Sequence, residues 1–179
     1  MVAIDSSILL HLLFAHVGAP LDKQTGMPLE KCKERVDFLL KNLSESRIQV
    51  LIPTPVLAEV LVHAGTKSAE ILATLTNAYA FKIQSFDEIA AVECALLIEG
   101  SLVSARRAKP KETKAKVKFD RQIVAIAKVC EVKTIYSDDV GLGKVAKANG
   151  IHVVTLHDLP VPPEPPQVEI EFPPDSPGE

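Results

Sequence analysis

Short β-branched runs alternate along this chain with longer stretches in which apolar residues recur every three or four positions. "VAI" (2–4), "IQVLI" (48–52), "AFKI" (80–83), "KTIY" (133–136) and "HVV" (152–154) read as strands. Between and after them lie helical patterns near 6–16, 31–46, 55–64, 67–77, 86–99, 119–130 and 140–148. Thr54 is placed to cap the third helix, with Pro55 in its first turn. Asn149-Gly150 supplies a stop for the last one. Strands that alternate with helices predict a parallel sheet covered on both faces.

Two segments leave this rhythm. Residues 101–118, "SLVSARRAKPKETKAKVK", read as a basic loop: from Arg106 to Lys118 there are seven Lys or Arg against one acid, Glu112. From Pro160 onward the chain is rich in proline and carries five acids with no Lys or Arg. The pattern divides the protein into a domain over 1–159 and a proline-rich acidic tail over 160–179, extended or disordered. No internal repeat is present.

Composition narrows the class. At 179 residues and 47% apolar content, the chain suits one domain with a full core. Aromatics make up 4% and tryptophan is absent, which argues against a base-stacking platform. The net charge of −3 supplies no global attraction to a polyanion, so any nucleic-acid contact must be local. The tail alone carries −5, leaving +2 on the rest. Cys32, Cys94 and Cys130 are odd in number and widely spaced, as expected of buried thiols in a reducing compartment. The apolar N-terminal segment contains Asp5 and His11 and lacks a basic start, so it does not fit a membrane span. A cytoplasmic protein is expected.

The candidate chemistry lies in acids. Asp5 directly follows the first strand, and Asp138 and Asp139 follow the fourth. Groups at the carboxyl ends of parallel strands line one edge of the sheet, where ligands bind. Each of these acids is equally well placed to cap the next helix. Glu59 sits in "PVLAEVLVHAG", a helix apolar nearly all round, and is therefore expected to be buried and to need a metal or a basic partner. Asp120 opens a helix whose Ile123, Val124, Ile126, Ala127 and Cys130 cover most of its circumference. Acids gathered at one edge repel one another unless a cation joins them. All-oxygen ligation favours Mg²⁺ or Mn²⁺, and cations so held serve phosphodiester hydrolysis. A neighbouring basic loop would hold the nucleic-acid backbone.

Four stretches, "VAIDSSILL", "IPTPVLAEVL", "FDRQIVAIAKVCEV" and "TIYSDDVGLGKVAKANGIHVVTLHDL", make the chain resemble the PIN-domain ribonucleases, especially the VapC-like toxins of toxin–antitoxin pairs. The resemblance runs over about residues 1–159 and implies a three-layer α/β/α fold with a five-stranded parallel sheet. It maps the family's catalytic and metal-binding acids to Asp5, Glu59, Asp120 and Asp139, with Asp138 as an adjacent acid. Ser7 and Ser137 follow the same pattern. With Arg106, Arg107, Lys109, Lys111, Lys114, Lys116 and Lys118 they are the expected substrate-binding residues. The resemblance further implies Mg²⁺- or Mn²⁺-assisted cleavage of RNA to 5′-phosphate and 3′-hydroxyl ends, a homodimer, and a small antitoxin partner. The 18–30 loop, the basic segment and the tail exceed a compact toxin, so a stand-alone PIN protein stays open.

Two other readings compete. A non-catalytic PIN scaffold would bind RNA or protein without using the acids. An aspartyl-phosphate phosphatase would use Asp5 as nucleophile, but such enzymes usually carry a second acid where this chain has Ser7, and they give Glu59 no role. A dinucleotide site is disfavoured because "GLGK" (141–144) lacks the third glycine and does not directly follow a strand. The "VEIEF" run of the tail (168–172) alternates like a strand that adds to a sheet edge, and its acids also suit docking on the basic segment.

Overall fold

A computed structural model describes residues 1–22, 25–104 and 114–163, without the side chains of 100–104 and 114–117. The five predicted strands form: β1 (Val2–Ile4), β2 (Val50–Pro53), β3 (Phe81–Gln84), β4 (Thr134–Tyr136) and β5 (His152–Val154). They make one parallel sheet in the order β3-β2-β1-β4-β5. Every residue of β2 is buried, whereas the edge strands β3 and β5 each expose a residue. Helices on both faces explain why the central strands are continuous apolar runs rather than alternating ones. Ala3 pairs with Leu51 on one side and Ile135 on the other, fixing β1 at the centre.

The helices are α1 (Ser6–Leu13), α2 (Cys32–Glu45), α3 (Thr54–Ala64), α4 (Ser68–Asn77), α5 (Glu88–Ser104), α6 (Lys114–Val129) and α7 (Val140–Ala148). Their inner faces and the sheet share one core, with Ile4, Ile8, Leu9, Leu51, Ile126 and Leu142 almost wholly buried. Each such side chain contributes about 1.5–3 kcal/mol by leaving water. No described helix is long and apolar enough to cross a membrane. All three cysteines are free thiols; Cys32 and Cys94 are buried and Cys130 is half-buried.

Two local expectations change. The segment read as a basic loop is partly helical: α5 runs on to Ser104 and α6 already begins at Lys114. Ala and Lys are good helix formers, so "KAKVKFD" suits the start of a helix. Residues 105–113 between them lie outside the described residues, as do 164–179 of the tail. Thr54 does not cap α3. Pro53 holds that position, and the Thr54 hydroxyl instead accepts the Phe86 N–H at 3.1 Å, tying the start of α3 to the end of β3. At the end of α7 the expected stop forms, with Gly150 at φ 75° and its N–H on the Lys147 carbonyl.

Candidate active site

Because β1 and β4 are neighbours and parallel, their carboxyl ends lie side by side. Asp5 N–H donates to the Tyr136 carbonyl at 3.0 Å, continuing the ladder one residue past the strand. The side chains complete the junction. Ser7 and Ser137 donate to the same oxygen of Asp5, Oδ2, at 2.9 and 2.8 Å. Ser137 Oγ in turn accepts the Asp139 N–H at 3.0 Å, and Ser7 Oγ accepts the Asp138 N–H at 3.0 Å. Two hydroxyls thus stitch the first acid to the turn that carries the last one. Asp5 is 4% exposed. The Ser137 hydroxyl is engaged by Asp5 and the Asp139 N–H inside the protein, and Ser137, expected among the substrate-binding residues, is 1% exposed.

Glu59 comes from α3 and Asp120 from α6. Asp120 is buried on the helix that forms much of the core. Glu59 is exposed, contrary to the sequence expectation. The reason is visible in the same helix: Val62 is 83% exposed, so the apolar residues of α3 do not all face inward. Glu59 Oε2 accepts the Ser6 hydroxyl at 2.5 Å, which fastens α3 to the start of α1. Ser6 was not singled out by sequence; its position right after the first acid was the available signal.

Asp5, Glu59, Asp120 and Asp139 line one cavity of about 340 Å³, together with Ser6 and Ser7 and apolar walls that include Phe119 and Leu142. None of the described residues lining it is basic. Asp139 also caps α7, its Oδ1 accepting the Gly141 and Leu142 N–H groups at 2.7 and 3.1 Å. Capping and site membership are therefore not exclusive. Asp138 faces elsewhere. Its Oδ1 accepts the Leu156 N–H at 2.7 Å, it lines a separate cavity, and burial pushes its carboxyl above the usual range against that hydrogen bond. Among the described residues, no three His, Cys, Asp or Glu side chains already stand together as a metal-holding group. The donor chemistry of the cavity nevertheless fits a hard divalent cation: four carboxylates and two hydroxyls, all oxygen.

Of the expected substrate-binding cations, Lys118 is exposed at the start of α6, one residue before Phe119 of the cavity wall. Lys114 and Lys116 lie on the same helix, their side chains outside the described residues. Arg106, Arg107, Lys109 and Lys111 lie outside them altogether. His63, one turn after Glu59, packs edge-to-face on Phe14 with ring centroids 4.7 Å apart.

A five-stranded parallel sheet in this order with helices on both faces is a PIN-like α/β/α fold. No protein-family model matches the chain, and no curated protein matches it in sequence. Solved structures do match. One is VapBC2 from Rickettsia felis, bound to a DNA fragment from its promoter: TM-score 0.56, 12% identity, over 87% of this chain and 98% of the other. Another is VapC20 of Mycobacterium tuberculosis, a toxin that cleaves the sarcin–ricin loop: TM-score 0.52, 13% identity, over 84% and 96%. At such identities the likeness is one of fold, and the fold is VapC-like.

Proposed function

We propose that this protein is a Mg²⁺- or Mn²⁺-dependent endoribonuclease. The observation that carries the reading is the meeting of Asp5, Glu59, Asp120 and Asp139, from four separate elements, in one cavity whose described lining holds no basic residue. Four carboxylates so placed repel one another, and a divalent cation relieves that repulsion. These four acids are the residues that would hold it. Once bound, such a cation polarises a phosphoryl oxygen and lowers the pKa of water. The rest is done by the chain itself. Ser7 and Ser137 hold Asp5 in place, the α7 cap holds Asp139, and the core packing of α6 holds Asp120. Lys118 and the basic residues before it would bind backbone phosphates. Hydrolysis leaves a 5′-phosphate and a 3′-hydroxyl, without a covalent intermediate.

The VapC-like fold supports a toxin role with an antitoxin partner and a homodimeric assembly as the finer part of this proposal. The test is cleavage of a structured RNA pool in Mg²⁺, Mn²⁺ or EDTA by wild type and by Asp120→Asn. Cleavage in either metal that vanishes in EDTA and in the variant is expected. Cleavage that survives in EDTA, or that Asp120→Asn leaves intact, would refute the proposal.

A further inference from the structure

A second cavity, of about 310 Å³, adjoins the first, and Asp139 belongs to both. Its walls come from α7, β5 and the segment that the sequence marks as extra length over 18–30. That segment is folded on itself: Leu21 bridges Pro28, and Leu29 N–H donates to the Pro20 carbonyl at 2.8 Å. It is fastened to the far wall by Asp22, which pairs with His157 Nε2 at 2.9 Å. Leu29 and Val153 give the cavity an apolar lining, and Gly143 leaves it room, since a Cβ there would meet only Val153 Cγ1, at 3.7 Å. Lys144 and Lys147 are exposed, three residues apart on one side of α7, and both line the opening.

An apolar hollow of this size with a few polar groups is the usual form of a small-ligand site. Asp138 and Asp139 also line the hollow, so an anionic group is held at the exposed Lys144 and Lys147, and the wall shared through Asp139 places that ligand next to the four-acid cavity. We propose that this hollow is a subsite for one nucleotide of the RNA adjacent to the scissile phosphate. The base is buried against Leu29 and Val153, and its phosphate sits on Lys144 and Lys147. The proposal rests on the ribonuclease reading and extends it to substrate recognition. Among the polar groups of the lining, Asp138 Oδ1 is taken by the Leu156 N–H and the Thr155 hydroxyl donates to Asp158.

The test is binding of a labelled single-stranded oligoribonucleotide to the full chain in EDTA, by fluorescence anisotropy across a salt series. Lys144→Ala/Lys147→Ala should weaken binding and make the plot of log K against log salt shallower by about 0.7, one single-strand phosphate contact. The control Lys41→Ala/Lys133→Ala removes two exposed lysines elsewhere, from α2 and from the opposite end of β4, and should change neither. Gly143→Leu, which favours the helix while filling the hollow, should weaken binding with the slope unchanged. Equal losses from the two lysine pairs, wild-type binding by Gly143→Leu, or no binding by wild type would overturn the subsite. The two readings separate cleanly. Metal-dependent cleavage with pocket variants that bind like wild type sinks the subsite alone. The pocket signature without metal-dependent cleavage sinks the nuclease alone.

Discussion

Asp139 does two jobs, and they can be pulled apart at the level of one atom. As a cap it needs an oxygen acceptor, which Asn also offers; as a cation ligand it needs charge. Asp139→Asn should therefore keep nearly the wild-type stability in urea and lose cleavage. Asp139→Ala should lose cleavage and about 1 kcal/mol of stability as well. If Asn restored cleavage, charge at this position would not be what the chemistry uses. Ser137 makes a different prediction. Its removal strands the buried Asp5 Oδ2 and the Asp139 N–H without one partner each. Ser137→Ala should cost about 1–3 kcal/mol and reduce the turnover number more than it changes KM, because the residue acts through Asp5. His11, buried on α1, adds a pH dependence. Burial holds its imidazole below the ordinary value of 6.5, with Asp138 pulling the other way. The unfolded chain then takes up this proton before the folded one. Stability is full above 6.5 and falls as the pH drops below it, down to the lower folded-state value. His11→Leu should flatten that part of the urea midpoint against pH. An unchanged slope would assign the acid sensitivity to another group.

At the scale of elements, α6 is both core and site. Ile126 is wholly buried on the helix that carries Asp120. Ile126→Ala should cost about 2–5 kcal/mol, read from chemical denaturation, and lower cleavage through the position of Asp120. This coupling explains which parts of the molecule were legible in the sequence. The five strands were, because burial on both faces leaves continuous β-branched runs such as "VLI" of β2. Asp5 and Asp139 were, because a strand end is a fixed place on the sheet edge. Glu59 was picked out for the wrong reason: its helix is apolar in sequence, but Val62 and Glu59 itself face water. The helical start of α6 is hidden in the sequence because a lysine-rich run suits a loop and, lysine and alanine being good helix formers, a helix as well. The serine stitches and the cavity behind Asp139 depend on contacts between residues more than a hundred positions apart, such as Ser137 with Asp5, which no local pattern records.

Over the whole molecule, charge is unevenly shared. The domain carries a small positive balance and the tail from Pro160 onward carries −5. Ending the chain at Pro163 removes all five tail acids and raises the net charge from −3 to +2. Single-stranded RNA should then bind more tightly at low salt, with the difference fading as salt rises, if the tail acts only through its field. A gain that persists at high salt would instead point to the tail docking on the basic segment. Titration calorimetry with Mn²⁺ asks, without any substrate, whether Asp5, Glu59, Asp120 and Asp139 share a divalent cation. Binding to wild type is expected, lost or greatly weakened in Asp120→Asn and Asp5→Asn and unchanged in Asp138→Asn, whose carboxylate lies in the other cavity. No binding to wild type, or equal binding to all four proteins, would contradict a shared cation.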